Sequence, residues 1–393
     1  MRPVIQLRPH QQRALDALLQ YRKGQVIFPT GGGKTNVAIF DALREFQSDA
    51  PKTIVVVAPR IMLAEQLSSE FLEFITTAAV LHVHSGETHH QSTTKPSEIH
   101  NWSRRAYKHQ LIFTTYNSLQ RLQQADIQVD TIYFDEAHNS VQRHFFPATE
   151  HFAANADRCY FFTATRRTSA TISKPGMNDV AVYGDIIYRV PAPKLVEEGY
   201  ILPPVIKAKK FEVLKANEIS ADRDCNNIIE TLQENSTSKV LVCVKSAKQL
   251  INLMSQTDFA TQLNDMGYSY LYITSKTGAV IDGQKVNREV FFDTLNAWGK
   301  NSNKKFVCLH RSILSEGINI SELETVVFLR NMDVIEMTQT IGRVLRKGSD
   351  CKTFGLCVVP IYSQVGISTE KRLQNVVDTI FGRGEMLDSI VKR

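Results

Sequence analysis

Paired cysteines, long apolar runs and repeats are all missing from this 393-residue sequence. Cys159, Cys225, Cys243, Cys308, Cys351 and Cys357 are scattered, with no Cys-x-x-Cys pair. That spacing argues against structural zinc and against a disulfide framework. Several of these cysteines lie in apolar, strand-like runs, where cysteine acts as a small hydrophobe. No window reaches the roughly 18 consecutive apolar residues of a membrane span. The opening Met1-Arg-Pro-Val-Ile-Gln-Leu-Arg-Pro lacks the apolar core and small-residue cleavage site of a secretory leader. We therefore expect an intracellular, cytoplasmic protein with no membrane partner. Neither tandem repeats nor low-complexity tracts occur, which sets aside solenoid and disordered classes.

What remains is an ordinary globular composition. Apolar residues make up 43% and charged residues 22%, enough for real cores in two or three domains. The formal net charge is +6. A mild basic excess suits a phosphate-backbone partner, although many proteins that bind no nucleic acid share it.

Short runs rich in Val, Ile, Phe and Tyr occur at residues 26–29, 54–58, 111–114, 131–134 and 159–163, separated by helix-length polar-patterned sequence. Buried parallel strands linked by crossover helices read this way, so the expected fold is α/β with a doubly wound sheet. Residues 173–193 carry Gly and Pro with little helical period, and Pro203-Pro204 marks a connector. A second alternating series follows at 240–244, 268–274, 306–309, 326–329 and 356–360. We expect a first domain over 1–195, a linker over 196–208, a second domain over 209–370 and a C-terminal helix over 371–393. Leu373, Val376, Val377 and Ile380 stand at helical spacing in that last stretch.

The most specific local feature is Phe28-Pro29-Thr30-Gly31-Gly32-Gly33-Lys34-Thr35, directly after a strand. Glycines let the backbone curl so that its N–H groups point at a phosphate, and the next helix adds its positive end. Lys34 is suited to the β- and γ-phosphates and Thr35 to Mg²⁺. The usual P-loop pattern begins with glycine where this chain has Phe28, so only its second half is kept. Tyr133-Phe134-Asp135-Glu136-Ala137-His138 ends another strand. Ligands of open α/β sheets bind outside the carboxyl ends of the strands. Asp135 is placed to hold Mg²⁺, and Glu136 to orient and deprotonate an attacking water. A lone Asp-Glu pair is usually a solvated strand end; the apolar strand before it and the loop upstream favour the site.

Loop and Asp-Glu-Ala-His together resemble the superfamily 2 helicases of the DEAH type, in the restriction-subunit and phage recombination branch. That resemblance implies two tandem RecA-like domains with an inter-domain ATP cleft, and ATP and Mg²⁺ as cofactors. Leu7-Arg8-Pro9-His10-Gln11 resembles the segment whose Gln recognises adenine, here Gln11. Thr30, Gly31, Gly32 and Gly33 would cradle phosphate. Val57-Ala58-Pro59-Arg60 resembles motif Ia and Thr114-Thr115-Tyr116-Asn117-Ser118 motif Ib, which implies strand contacts by Pro59, Arg60, Thr115, Tyr116 and Ser118. Thr163-Ala164-Thr165 resembles motif III; with His138, its threonines would couple nucleotide state to strand binding. Val242-Cys243-Val244-Lys245-Ser246 falls at motif IV and puts Lys245 on the strand. Ser315-Glu316-Gly317-Ile318-Asn319 resembles motif V, with Asn319 where many members carry Asp; Gly317 and Asn319 would touch nucleotide. Gln339-Thr340-Ile341-Gly342-Arg343-Val344-Leu345-Arg346 fits motif VI, Q-x-x-G-R-x-x-R. Gln339, Arg343 and Arg346 would take part in hydrolysis, the two arginines three apart on one helix face as arginine fingers.

The implied function is an ATP-dependent nucleic-acid helicase or translocase, stimulated by its strand, with DNA favoured over RNA. Little sequence remains for a nuclease or a recognition module, so specificity would come from small loops or protein partners. The alternatives are a translocase subunit of a restriction or defence complex that does not unwind, and an RNA helicase or nucleoprotein remodeller. Weaker features have plainer readings. His82, His84, His89 and His90 suggest a metal but fit a strand end and polar loop. Trp102, Arg104, Arg105, Tyr107 and Lys108 could grip a strand but fit a half-buried helix. Lys300, Lys304 and Lys305 read as a solvated loop, and Lys207, Lys209 and Lys210 as a charged strand edge.

Overall fold

The computed structural model describes residues 6–86, 88–104, 108–171, 173–210, 219–274, 276–311, 320, 322–347, 352–361 and 364–391. The chain divides into two compact units, Met1–Pro191 with Leu387–Arg393, and Ala192–Met386. Motif V, with Gly317 and Asn319, lies outside the described residues, as do Arg105, Tyr107 and Cys351.

The first unit runs α1 (Pro9–Gln20), β1 (Lys23–Ile27), α2 (Lys34–Glu45), β2 (Thr53–Ala58), α3 (Ile61–Leu72), β3 (Ala79–Val83), α4 (Pro96–Arg104), β4 (Gln110–Thr115), α5 (Leu119–Gln124), β5 (Thr131–Phe134), α6 (Phe146–Asn155), β6 (Arg158–Thr163), β7 (Arg167–Thr168), α7 (Val180–Tyr183) and β8 (Ile186–Arg189). Seven strands form one parallel sheet in the order β3-β4-β2-β5-β6-β1-β8. Its strands are apolar on both faces because helices cover both. Val55, Val57, Ile112, Ile132, Phe134 and Phe161 form the centre of a buried cluster.

The second unit runs α8 (Ala192–Glu197), β9 (Pro204–Lys210), α9 (Ser220–Asn235), β10 (Lys239–Cys243), α10 (Ala247–Gln256), α11 (Phe259–Asp265), β11 (Ser269–Thr274), β12 (Gly278–Ile281), β13 (Gln284–Val286), α12 (Arg288–Lys300), β14 (Phe306–His310), β15 (Thr325–Phe328), α13 (Val334–Val344), β16 (Gly355–Ile361) and α14 (Gln364–Val376). A π-helical turn, Val377–Gly382, continues α14. The eight-stranded sheet has the order β13-β12-β11-β14-β10-β15-β16-β9. It is parallel except for the hairpin β12–β13, which joins β11 antiparallel. Two tandem parallel-sheet α/β units of this kind are RecA-like, as the sequence implied.

The structure differs from the sequence reading in three places. Part of the expected linker, from Pro204 onward, is the edge strand β9, hydrogen-bonded in register to β16. A proline is accepted there because it opens an edge strand, where no neighbour needs its missing N–H. The segment 173–193 supplies α7 and the edge strand β8. Helix does not extend to the end: after Gly382 the chain leads into β17 (Ser389–Ile390), which pairs with β7. Asp388 beside it takes a two-point ion pair from Arg166, at 2.6 and 3.2 Å. That fork is the geometry in which Arg and a carboxylate hold each other firmly.

Several plain readings are met. Among the described residues the free cysteines are all buried. Trp102 packs on the first core. Lys207 and Lys209 pair with Glu230 and Glu234. The solvated-loop reading is not met: Lys300 ends α12, and Lys304 lies over the Trp298 ring, 4.3 Å from its centroid, and donates to Ser269 Oγ at 2.6 Å. His82 and His84 are buried, 3.2 Å apart between ring nitrogens, with Ser68 and Thr88 on His82.

Candidate nucleotide site

The loop between β1 and α2 sits at the carboxyl edge of the first sheet. Gly31 and Gly33 have φ of +87° and +82°, the left-handed region that glycine enters without a Cβ penalty. A Cβ on Gly33 would also lie 2.2 Å from Gln11 Nε2. Gly33 caps α2, so the positive end of that helix opens onto the loop. Thr30 Oγ1 is buried with no hydrogen-bond partner, an acceptor or donor left over beside the cradle. Phe28, where the usual pattern has glycine, is still extended: its N–H donates to Thr163 O at 3.0 Å, and its ring packs on His10 and Tyr188. The loop bends only after it, so no glycine is required there.

Gln11 braces the loop. Its Oε1 accepts from the Arg8 N–H at 2.9 Å and its Nε2 donates to Gly33 O at 3.1 Å. Reading an adenine would require these bonds to exchange. His10 Nε2 meets Gly32 O at 2.9 Å. The sequence reading gave His10 no role; its place beside Gln11 was the available signal.

At the end of β5, Asp135 and Glu136 face the loop. Lys34 Nζ lies 2.9 Å from Glu136 Oε1, both side chains mostly buried. Lys34, Thr35 and Asp135 line one pocket, floored by Ala38, Val56 and Phe162. Burial and, next, the Glu136 carboxylate hold the Asp135 acid above its usual range, while Lys34 pulls it down. A Thr hydroxyl and a carboxylate are hard oxygen donors of the kind Mg²⁺ takes, so the residues present fit that ion. Glu136 is left-handed at φ 45°, a strained conformation for a non-glycine residue, costing roughly 1–3 kcal/mol.

From Glu136 a polar chain leads away. His138 Nδ1 is 3.5 Å from Glu136 Oε2 and 3.1 Å from Thr163 Oγ1. Thr163 Oγ1 donates to Thr165 O at 2.9 Å. Asn139 Nδ2 stands 3.2 Å from His138 Nε2 and is a neighbour the sequence reading missed. His138, Thr163 and Thr165 are thus brought together. A second network lies behind the site: Tyr133 donates to the fully buried Asp41 at 2.6 Å, and Arg158 reaches the same carboxylate at 3.0 Å. It ties α2 to β5 and β6, the elements that carry the loop and the carboxylates.

The strand-contact residues divide. Arg60 is exposed, Pro59 and Ser118 half-buried, and Lys245 exposed. Thr115 and Tyr116 are buried, at 3% and 2% exposure, so their side chains do not face a strand in this structure. Tyr116 stacks on Phe134 and Phe145, and its hydroxyl donates to Asp135 O at 2.9 Å. It braces the carboxylate strand. Tyr116→Phe should lower unfolding stability by about 1 kcal/mol, the net worth of one buried hydrogen bond; unchanged denaturant unfolding would remove that role.

Motif VI also departs from its expected geometry. Gln339 and Arg343 lie in α13, with Arg343 at 6% exposure. The helix ends at Val344, and Arg346 lies beyond its cap, bridged to Ile201. The two arginines therefore do not share a helical face. At the cap, the Leu202 N–H donates to the Leu345 carbonyl at 2.7 Å. Arg343 and Arg330 face the buried His310, and burial first, then these cations, pushes its pKa down to about 3. His310 is neutral and accepts or donates only locally, toward Cys243 Sγ at 3.2 Å.

Residues 4–167 match the family model of the type III restriction enzyme res subunit, and residues 223–348 that of the helicase conserved C-terminal domain. No curated protein matches the chain. Among solved structures it is similar to the ATP-dependent Type ISP restriction-modification enzyme LlaBIII bound to DNA, with TM-score 0.75, 17% identity and coverage of 98% of this chain and 31% of that one. A nuclease-deletion mutant of the Type ISP enzyme LlaGI, in complex with a DNA substrate mimic, gives TM-score 0.69 and 18% identity over 97% of this chain and 29% of that one. A fragment assigned to an HsdR subunit of a type I restriction enzyme from Vibrio vulnificus YJ016 gives 0.61 and 16%, over 99% and 70%. Identities this low speak for the fold alone. The chain spans about a third of the length of the two Type ISP enzymes. No helix among the described residues is long and apolar enough to cross a membrane. With both family models matched in succession, and with the phosphate loop and the two-unit fold they require, the chain belongs to the superfamily 2 helicases of the restriction-subunit type, a family of ATP-hydrolysing enzymes.

Proposed function

We propose that the chain is a DNA-stimulated ATP motor that couples hydrolysis to movement along a strand, with unwinding or branch migration as its output. The observation that carries this reading is the Lys34–Glu136 ion pair at 2.9 Å, joined through His138 to Thr163 and Thr165. Such a chain gives nucleotide chemistry a path to residues outside the phosphate cradle. In this reading the loop's backbone N–H groups and Lys34 bind the β- and γ-phosphates. Thr35 and Asp135 would hold Mg²⁺, which supplies charge neutralisation at the phosphates when bound. Glu136, released from Lys34 as phosphate takes the ammonium, orients the attacking water and accepts its proton. Arg343 and Arg346 stabilise charge on the transferred phosphoryl group, with Gln339 beside them, and Gly317 and Asn319 touch the nucleotide. Pro59, Arg60, Ser118 and Lys245 meet the strand's phosphates, contacts that carry position and no sequence.

DNA is favoured because the Type ISP structures similar to this chain are described with DNA or a DNA mimic. The same similarity supports a second reading, a translocating subunit that does not unwind and works with protein partners of a restriction complex. Two assays on purified protein test the function. Binding to single-stranded DNA should weaken by about tenfold or more between 50 and 200 mM salt, as release of two or three counterions requires; a flat dependence would argue against backbone recognition. A forked duplex should be unwound with ATP. Displacement of a third strand from duplex DNA without unwinding would instead support the translocating subunit, and neither activity would sink both.

A further inference from the structure

We propose that Lys352 is a positioning residue for the motif VI arginines, its ammonium fixing the chain where α13 ends. The inference rests on the proposed role of Arg343 and Arg346. Lys352 Nζ donates to Val344 O at 2.7 Å, Arg346 O at 3.0 Å and Leu323 O at 2.6 Å. An ammonium has three N–H donors, and all three go to main-chain carbonyls. Two of these acceptors belong to the segment that leaves the helix. The last carbonyls of a helix lack intrahelical partners and carry the negative end of its dipole. Here the carbonyls of Val344, Leu345 and Arg346 each take a donor from outside α13: Lys352, the Leu202 N–H and Lys352 again. The third anchor, Leu323, stands just before β15, so the ammonium ties the helix exit to the sheet.

Arg343 is in the last turn of α13 and Arg346 is two residues past its end. The placement of Arg346 relative to Arg343 therefore depends on where the chain bends between them. That bend is held from outside the helix, by the Lys352 ammonium, the Leu202 N–H and the bridge between Ile201 and Arg346. Burial brings the Lys352 pKa down to about 8, opposed by Glu324 and Glu322 and assisted by Lys239 and Arg346. Charge on this lysine is costly at the site, and the geometry keeps it there nonetheless.

The test is steady-state ATP turnover at saturating single-stranded DNA for Lys352→Met, Lys352→Gln and Lys352→Arg, with Arg346→Ala as reference. Lys352→Met should lower kcat by about tenfold or more, since a misplacement of about 1 Å can cost up to a hundredfold, with KM for ATP within about twofold. Lys352→Arg, which keeps a cation and several donors, should recover most of the loss. Wild-type kcat should fall as pH rises through about 8, where the ammonium loses a donor, and Lys352→Met should lack that limb. Lys352→Gln reads the same way if the methionine variant does not fold. Wild-type kcat in the methionine or glutamine variant, beside an impaired Arg346→Ala, overturns the proposal, as does an arginine variant no better than methionine. A normal Arg346→Ala would overturn the motif VI reading itself, and this proposal with it.

Discussion

Lys34→Ala will reduce ATP turnover by about 10³-fold, the upper range for losing one preorganised charge-stabilising donor, or about 4 kcal/mol of barrier. The reason lies in what the ammonium touches. It follows the left-handed Gly33 at the first residue of α2, so the helix start and the glycine turn fix its position. Its Nζ lies 2.9 Å from Glu136 Oε1. With nucleotide, in the proposed cycle, it moves to phosphate, and the carboxylate it leaves becomes available to water. Alanine removes both functions at once. Strand binding should remain measurable, because the proposed strand contacts, Arg60 and Lys245, are left unchanged. Turnover near the wild-type rate would refute the assignment of the cradle.

Glu136→Gln will bind ATP and DNA but hydrolyse about 10²–10⁴-fold more slowly, the range for removal of a general base. Glutamine keeps the size of the side chain and its reach to Lys34 and His138. It removes the negative charge and the ability to take a proton. The Glu136 charge also raises the Asp135 acid, so its removal should ease ionisation of Asp135 and leave nucleotide affinity equal or higher. Single-turnover hydrolysis measured beside equilibrium ATP binding separates the two effects. Unimpaired hydrolysis would take Glu136 out of the base role; lost binding would make it a binding residue.

Both variants concern residues that the sequence exposed directly, and the reason is locality. Phosphate cradles and strand-end carboxylates are built from contiguous residues whose backbone conformation their own types dictate. Gly31, Gly33, Lys34 and the Asp135-Glu136 pair could be placed on that ground alone. The two α/β units were legible too, because buried parallel strands are short apolar runs. Other features depend on contacts distant in sequence. Tyr116 sits in a segment that resembles a strand-binding motif, yet its ring is buried between Phe134 and Phe145. Nothing local distinguishes a tyrosine that faces solvent from one that braces Asp135. Arg346 was expected on the helix of Arg343, but it lies past the helix end, where Leu202, Ile201 and Lys352, all distant in sequence or outside the motif, meet the chain. The edge strands β8 and β9 were hidden by glycine and proline, which edges tolerate and centres do not. Lys352 carries no motif; its role appears only when the carbonyls of Leu323, Val344 and Arg346 converge on it.

The central claim is that ATP chemistry at Lys34, Asp135 and Glu136 is linked to strand binding. The most direct measurement is ATP turnover by the purified chain with no nucleic acid, with single-stranded DNA, duplex DNA and forked DNA, and with RNA, side by side. The account predicts turnover that rises at least about tenfold with DNA, rises less with RNA, and falls about 10³-fold in Lys34→Ala under every condition. The same rate with and without nucleic acid would contradict it.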